Sequence, residues 1–435
     1  IWSGSPRVQC LSPSVETREM SAPLRAGIRV GFFGILGSGN LGNDGSLEAV
    51  VSYLSHRGSD VQLRFFCMGP DVVAARYRAP AKSLQWYEPH AGNATGLEAV
   101  GLKVVGRILD PFRTLAWVRQ NDVVIVPGMG VLEATVPLRP WAFPYSLFWL
   151  GVTARLTGTR VALVSVGSNV VRAQASRWFI THAARLAHYR SFRDELSRNS
   201  MLEMGVDVAG DRVYPDLAFW LPNPPASGPN RTVGVGVMAY RGTNDDRAEA
   251  DKLHRHYVDT MTRFVHWLLD NGRKVRLFTT DQEDQPILRA LLADVRAHRP
   301  DNPDIKAEPV STLSDLMCRI AMVDTVVGSR YHNVLCALKL SKPTLSVGYA
   351  DKHDVLMRDM GLGDYCEPAR SVDLDRLIAK FNSLEREHEV LVTTLDKRNA
   401  EKTRLLEEQF AALWRVVTAS STEREPKPRH QLASP

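Results

Sequence analysis

Residues 221–230 read Leu-Pro-Asn-Pro-Pro-Ala-Ser-Gly-Pro-Asn, four prolines in ten positions. Proline fixes φ and removes a backbone donor, so neither a helix interior nor a central strand can run through this stretch. On both sides of it, short apolar runs alternate with helical spacing. Before it, Ile28–Phe33, Val61–Cys67, Asp122–Val126, Val161–Val166 and His188–Phe192 read as strands, with a helix over about Ser46–Leu54. After it, Thr232–Met238, Lys274–Thr279 and Thr325–Val327 read as strands, with helices over Asp259–Leu269 and Leu313–Ile320.

Such alternation marks an α/β fold with mainly parallel sheets. A chain of 435 residues also exceeds what one core organises, so two domains are expected. Residues 1–26 are set aside as a disordered or non-native N-terminal segment: Met20 sits just before the first strand pattern, and no apolar signal-peptide core precedes it. Residues 27–222 then form the first domain, 223–231 the linker and 232–372 the second domain. From Leu374 the apolar spacing is helical (Leu377, Phe381, Leu384, then Leu391 and Leu395, later Leu406, Phe410, Leu413 and Val417). One or two long helices over 373–419 are expected, packing either on the body or on a second copy, which leaves a homo-oligomer open. Residues 420–435 are polar and read as a disordered tail.

The charge of +6 is modest for this length. It suits an anionic ligand or a membrane surface better than nucleic acid, for which no basic stripe is present. Five scattered cysteines without CxxC spacing point away from a disulfide framework or a zinc site and towards a reducing, cytoplasmic setting. The longest apolar patch, Trp141 to Val152, is too short to span a bilayer. It reads as a buried helix or domain contact, with a peripheral contact at the inner face of a membrane left open.

The chemistry concentrates at strand ends. Arg330 and His332 follow the apolar run Val323–Val327, and Lys352 follows Thr344–Val347. In open α/β sheets the carboxyl ends of strands face the ligand crevice. Read as an extended segment, Arg330 and His332 point the same way. A guanidinium, an imidazole and an ammonium there suit a small, multiply charged anion with a proton to move. Gly37-Ser38-Gly39-Asn40-Leu41-Gly42 matches G-x-G-x-x-G, but no acid ends the second strand, so a dinucleotide site is disfavoured. A loop whose Asn40, Asn43 and Asp44 meet sugar hydroxyls is the alternative. Glu133 and Asp216 each read equally as a base towards a sugar hydroxyl or as a turn residue. His353, His254 and His256 read as surface histidines.

Taken in order, Gly39-Asn40-Leu41-Gly42-Asn43-Asp44, Pro127-Gly128-Met129-Gly130, Phe192-Arg193-Asp194-Glu195-Leu196-Ser197, Pro215-Asp216, Arg330-Tyr331-His332 and Tyr349-Ala350-Asp351-Lys352 resemble the polysaccharide pyruvyl transferase family over roughly residues 28–365. Two positions depart from its pattern: Tyr331 stands where the family usually has Leu, and Met129 interrupts a glycine run. The resemblance implies two Rossmann-like domains in a GT-B-like arrangement with the site in the interdomain cleft. It implies phosphoenolpyruvate as donor, a sugar of a cell-envelope polysaccharide or glycolipid as acceptor, and a cyclic pyruvate ketal as product. It also implies Arg193, Arg330 and Lys352 as donor-binding residues, with His332 and Arg330 catalytic. Asn40, Asn43, Glu133 and Asp216 are left for the acceptor, and neither a cofactor nor a metal is expected. The rivals are a glycosyltransferase with a nucleotide-sugar donor and a non-catalytic glycan-binding protein of the same fold.

Overall fold

A computed structural model describes residues 27–422 apart from 58–59, 91, 93–94, 134–139, 227, 229, 243–245, 247 and 301. The expectations for residues 1–26 and for most of the polar tail fall outside this range. Among the described residues the chain divides into two compact units, one of residues 27–220 with 402–422, the other of residues 221–401.

The N-terminal unit carries strands β1 (Ile28–Gly34), β2 (Val61–Cys67), β3 (Ala81–Ser83), β4 (Val123–Pro127), β5 (Arg160–Val166), β6 (Tyr189–Phe192) and β7 (Arg212–Val213). They form one sheet in the order β3-β2-β1-β4-β5-β6-β7, every pair parallel. Its helices are α1 (Leu41–Arg57), α2 (Pro70–Tyr77), α3 (Tyr87–His90), α4 (Gly96–Val118), α5 (Phe143–Thr157), α6 (Gln174–Leu186) and α7 (Glu195–Glu203). The C-terminal unit carries β8 (Thr232–Gly236), β9 (Lys274–Phe278), β10 (Ile305–Ala307), β11 (Thr325–Gly328), β12 (Thr344–Gly348) and β13 (Cys366–Pro368). Their order is β10-β9-β8-β11-β12-β13, again all parallel. Helices α8 (Ala250–Asp270), α9 (Gln285–His298), α10 (Leu313–Ala321), α11 (Tyr331–Lys339), α12 (Asp351–Asp359), α13 (Leu374–Arg386) and α14 (His388–Thr422) complete the chain.

Both sheets have the doubly wound order, in which the topology reverses between the first and fourth strands of each unit. Strands covered on both faces need continuous apolar runs, and β4 (Val-Val-Ile-Val-Pro) is buried at every position. Stacked rings tie the layers together: Phe32 of β1 lies on Phe65 of β2 with centroids 5.5 Å apart, and Phe66 of β2 on Trp117 of α4 at 5.2 Å.

Two local features differ from the sequence reading. Helix α1 starts at Leu41, five residues earlier than the spacing suggests, because Asn40 caps it. Its Oδ1 accepts from the Gly42 and Asn43 amides at 3.1 and 3.2 Å. The C-terminal helices are divided between the units rather than standing apart, and α14 runs on through Thr422 into the expected tail. Its early turns belong to the C-terminal unit, where Leu391 and Leu395 are buried and Asn399 Nδ2 donates to the Leu338 carbonyl at 2.9 Å. Its later turns belong to the N-terminal unit, where Phe410 stacks on Tyr53 at 4.5 Å and meets Trp220 edge-on at 4.9 Å.

Gln409 gives those later turns a polar anchor. Buried completely, it accepts from Ser165 Oγ at 3.0 Å and donates to Ser191 Oγ at 2.9 Å, on β5 and β6. Ser165 sits at the irregularity in β5 with φ of 48°, an uncommon conformation for a residue bearing a Cβ. Gln409→Ala removes both bonds and leaves a void, so chemical denaturation of this variant should show a loss of about 2–3 kcal/mol.

Candidate functional site

The sequence-predicted residues fall into two groups, one in each unit. In the C-terminal unit, β11 and β12 lie side by side with Val327 opposite Leu345, and each passes directly into a helix at its carboxyl end. Arg330 occupies the N-cap position of α11, and His332 is the second residue of that helix. Lys352 is the second residue of α12. The extended geometry expected for Arg330 and His332 is therefore replaced by a strand-to-helix turn. Across a helical step, residues two apart no longer share a face.

The cations still gather. Lys352 Nζ lies 5.6 Å from the Tyr331 ring centre and 5.8 Å from that of Tyr349, within cation–π range of both. The Tyr331 ring meets His332 edge-on at 5.3 Å. No side chain caps α11 or α12 among the described residues. First-turn amides and the helix dipole at both N-termini therefore favour an anion beside these cations.

Arg330 is held by partners that the sequence reading missed. Its Nε and Nη2 donate to both oxygens of Asp284 at 2.7 and 2.6 Å, and Nη1 lies 3.4 Å from Asp281. Asp284 is completely buried and also accepts from the Ala239 amide at 2.7 Å and Thr279 Oγ1 at 3.0 Å. Burial works against the Arg330 charge, but the Asp284 bonds and the Asp281 field outweigh it and raise the pKa further above its ordinary value. Burial raises the Asp281 carboxyl, despite the opposing pull of Arg330. The Arg330 side chain keeps 22 % of its surface exposed, and Asp284 fixes the orientation of its guanidinium. The available sign of Asp281 and Asp284 was their place just past the end of β9, on the neighbour of β8.

His353, read from sequence as a surface residue, is completely buried. Its ring lies 4.7 Å from Tyr349 and 5.8 Å from Tyr331, and Nδ1 lies 3.1 Å from the Ala350 carbonyl. Burial first, then the Lys352 charge, pushes its pKa down to about 3. It is a neutral pedestal beneath the aromatic pair. Asn333, in the first turn of α11, is also completely buried, and its side-chain amide makes no hydrogen bond among the described residues. Next to this cluster, a cavity of about 370 Å³ is lined by Tyr240, Tyr349, Asp351, Asp354 and Arg370 among others; Arg330, His332 and Lys352 do not line it.

In the N-terminal unit, Arg193, Glu133 and Asp216 come together at the carboxyl ends of β4 to β7. Arg193 Nη2 donates to Glu133 Oε1, Nε lies 3.5 Å from Asp194 and Nη1 lies 4.0 Å from Asp216. Asp194 caps α7 by accepting from the Ser197 amide at 2.6 Å, and Asp216 accepts from the Ala218 amide at 3.0 Å. One guanidinium thus serves three carboxylates. The loops are shaped for this: a Cβ on Gly167 would collide with Glu133 Oε1 and lie 2.6 Å from Arg193 Nη2. Met129, the departure within the glycine run, takes φ of 58° beside Gly128 at 53° and is buried. The tight turn therefore survives the substitution at the cost of some backbone strain.

Asn40 and Asn43 follow β1, the strand that pairs with β4 in the same sheet. Asn40 caps α1, and Asn43 Nδ2 donates to the Ile35 carbonyl at 3.1 Å. Asp44 accepts from the Gly37 amide at 2.7 Å, and burial raises its pKa. The G-x-G-x-x-G stretch is thus closed upon itself by its own polar side chains. His254 is half-buried with Nδ1 3.0 Å from the Tyr240 carbonyl, whereas His256 is exposed, as its sequence context suggests.

Comparison with known proteins gives a consistent picture. No curated protein matches the sequence. Among solved structures, the UDP-GlcNAc 2-epimerase of Methanocaldococcus jannaschii is similar at a TM-score of 0.54 and 11% identity, covering 82% of this chain and 92% of that one. Alr3699/HepE of Anabaena, solved in complex with UDP, reaches 0.55 at 10% identity, covering 90% and 100%. MurG of Acinetobacter baumannii reaches 0.51 at 14% identity, covering 89% and 99%. At such identities the likeness establishes the fold alone, that of GT-B-like proteins with two parallel sheets and flanking helices. The sequence model of one family, polysaccharide pyruvyl transferase, matches residues 40–351. That span holds every residue of both clusters except Lys352 and His353, which directly follow it, and the chain belongs to the polysaccharide pyruvyl transferase family.

Proposed function

We propose that this protein transfers the enolpyruvyl unit of phosphoenolpyruvate to two hydroxyls of a sugar in a cell-envelope polysaccharide or glycolipid, forming a cyclic pyruvate ketal and releasing phosphate. The observation that carries this reading is the gathering of Arg330, His332 and Lys352 around two adjacent, uncapped helix N-termini. Phosphoenolpyruvate presents a carboxylate and a phosphate, which need several fixed donors. Arg330, clamped by Asp284, offers an oriented guanidinium, and Lys352 a point charge held over two rings.

In the proposed reaction His332 gives a proton to the methylene carbon of the donor. The resulting oxocarbenium-like carbon is attacked by one sugar hydroxyl, whose proton passes to a base. The second hydroxyl then displaces phosphate from the same carbon and gives its proton back to His332, completing the ketal. Arg330 and Lys352 neutralise the departing phosphate. Arg193 is the further donor cation implied by the family resemblance. A donor anion would compete with Glu133 for it and leave that carboxylate able to accept a hydroxyl proton. Asp216 lies on the same guanidinium and is the second candidate on the acceptor side. Asn40 and Asn43, already bonded within their loop, enter this scheme only as acceptor contacts made at the loop surface.

The test supplies phosphoenolpyruvate with a panel of simple glycosides and follows phosphate release together with an acid-labile mass gain on the sugar. His332→Gln should lower kcat by about 10²–10⁴-fold while leaving the KM for phosphoenolpyruvate little changed. A full rate in that variant would remove His332 from the acid role. Turnover of a nucleotide sugar, with none of phosphoenolpyruvate, would replace the reading with a glycosyltransferase.

A further inference from the structure

We propose that the surface formed by α4, α5 and α6 of the N-terminal unit docks on an anionic lipid bilayer. Helix α4 is amphipathic in the reverse of the usual sense. Its buried stripe is Gly106, Asp110, Thr114 and Trp117, spaced three or four apart and partly polar. The opposite side carries Leu97, Val100, Val104, Ile108 and Phe112, all exposed, with Leu97 at 90%, Ile108 at 62% and Phe112 at 67%. A helix normally turns its apolar stripe to the core, and an outward one of this length marks an interaction surface.

The neighbouring helices extend the surface with aromatic rings. Tyr145 on α5 donates to the Arg107 carbonyl of α4 at 2.8 Å, and Phe148 packs on Trp178 of α6 at 5.0 Å. Trp141, just before α5, is 57% exposed, and Trp178 is exposed as well. Indole and phenol rings at a surface suit the headgroup boundary of a membrane, where one end is apolar and the other wet. No helix among the described residues is long and apolar enough to cross a membrane, so the surface would lie on the bilayer.

Charge selects the occupant. Helices α5 and α6 carry Arg155, Arg177 and Arg185 and no acidic residue. On α4 the exposed charges are Glu98 and Lys103, while Asp110 is buried and paired with Arg107 and Arg113. A second copy packed two-fold on this face would set bases against bases. Anionic headgroups would neutralise them.

The test is flotation of the full chain with vesicles of phosphatidylcholine alone or mixed equally with phosphatidylglycerol. The mixed vesicles should retain at least about tenfold more protein. The triple variant Val104→Ser, Ile108→Ser, Phe112→Ser should lose the binding with its thermal midpoint unchanged, since all three side chains are exposed. Lys103→Glu with Arg177→Glu should abolish the preference for anionic vesicles. Absence of binding to the mixed vesicles, or binding untouched by the triple variant, would overturn the proposal. So would a dimer in light scattering that the triple variant dissolves, because the face would then belong to a second copy. Neither donor nor acceptor enters the measurement, so its outcome is separate from that of the pyruvyl transfer assay.

Discussion

Asp284→Ala should lower the unfolding free energy by about 3–5 kcal/mol, the range for breaking one side of a buried ion pair. The reason lies in how much converges on one carboxylate. Asp284 is inaccessible to solvent and accepts from Arg330 twice, from Thr279 and from the Ala239 amide. Its removal leaves a mostly buried guanidinium with only Asp281 nearby and frees an amide just past β8. Urea titration of Asp284→Ala, Arg330→Ala and the double variant would measure this directly. The two single losses should sum to clearly more than the loss in the double variant, because either one alone breaks the pair. Additive losses would mean that the two side chains stabilise the unit independently. The same variants should bind phosphoenolpyruvate poorly, since the guanidinium of Arg330 is aimed by Asp284.

The second large effect is a dependence on acid. His353 stays neutral in the folded protein down to about pH 3, whereas in the unfolded chain it takes up a proton near its ordinary value of 6.5. Between those two values the unfolded state holds one more proton, so stability falls as the pH falls. The slope is about 1.4 kcal/mol per pH unit, and the contribution is complete above pH 6.5. His353→Phe keeps a ring against Tyr331 and Tyr349 but has nothing to titrate. Between pH 6.5 and pH 5, above the range of ordinary carboxylates, its stability should change less with pH than that of the wild type by this one-proton slope. Identical slopes would show that His353 is protonated in the fold.

The strands were legible wherever a parallel sheet demands apolar runs. β1, β4, β5 and β11 lie within a residue or two of their sequence bounds. Arg193, Glu133, Asp216, Arg330, His332 and Lys352 were singled out by their place after apolar runs, and each does follow the end of a strand. What escaped was set by packing across the sheet or by local hydrogen bonds. His353 looks polar beside Asp351, Lys352 and Asp354, but it shares the buried side of α12 with Leu356 and Met357, three and four residues on, and that helical spacing was the usable signal. Asp284 precedes Arg330 by two helix–strand units, α9–β10 and α10–β11, so no local pattern links them. The start of α1 was hidden because Gly42, Asn43 and Asp44 are weak helix formers, and only the cap at Asn40 makes the turn. Helix α4 escaped although Leu97, Val100, Val104, Ile108 and Phe112 recur at helical spacing, because Pro111 within it reads as a helix breaker.

The divided ownership of α14 sets an order of events during synthesis. The N-terminal unit leaves the ribosome first, yet the ring that covers Tyr53 and the amide that bridges Ser165 and Ser191 arrive near the far end of the chain. Until Gln409 and Phe410 emerge, Tyr53 and Trp220 lack the ring that packs on them, and Ser165 and Ser191 rely on the Pro215 carbonyl and the Ser165 amide alone. The first-made unit is therefore the last to be finished. A nascent chain stalled before α14 would offer chaperones a nearly complete but unfinished unit.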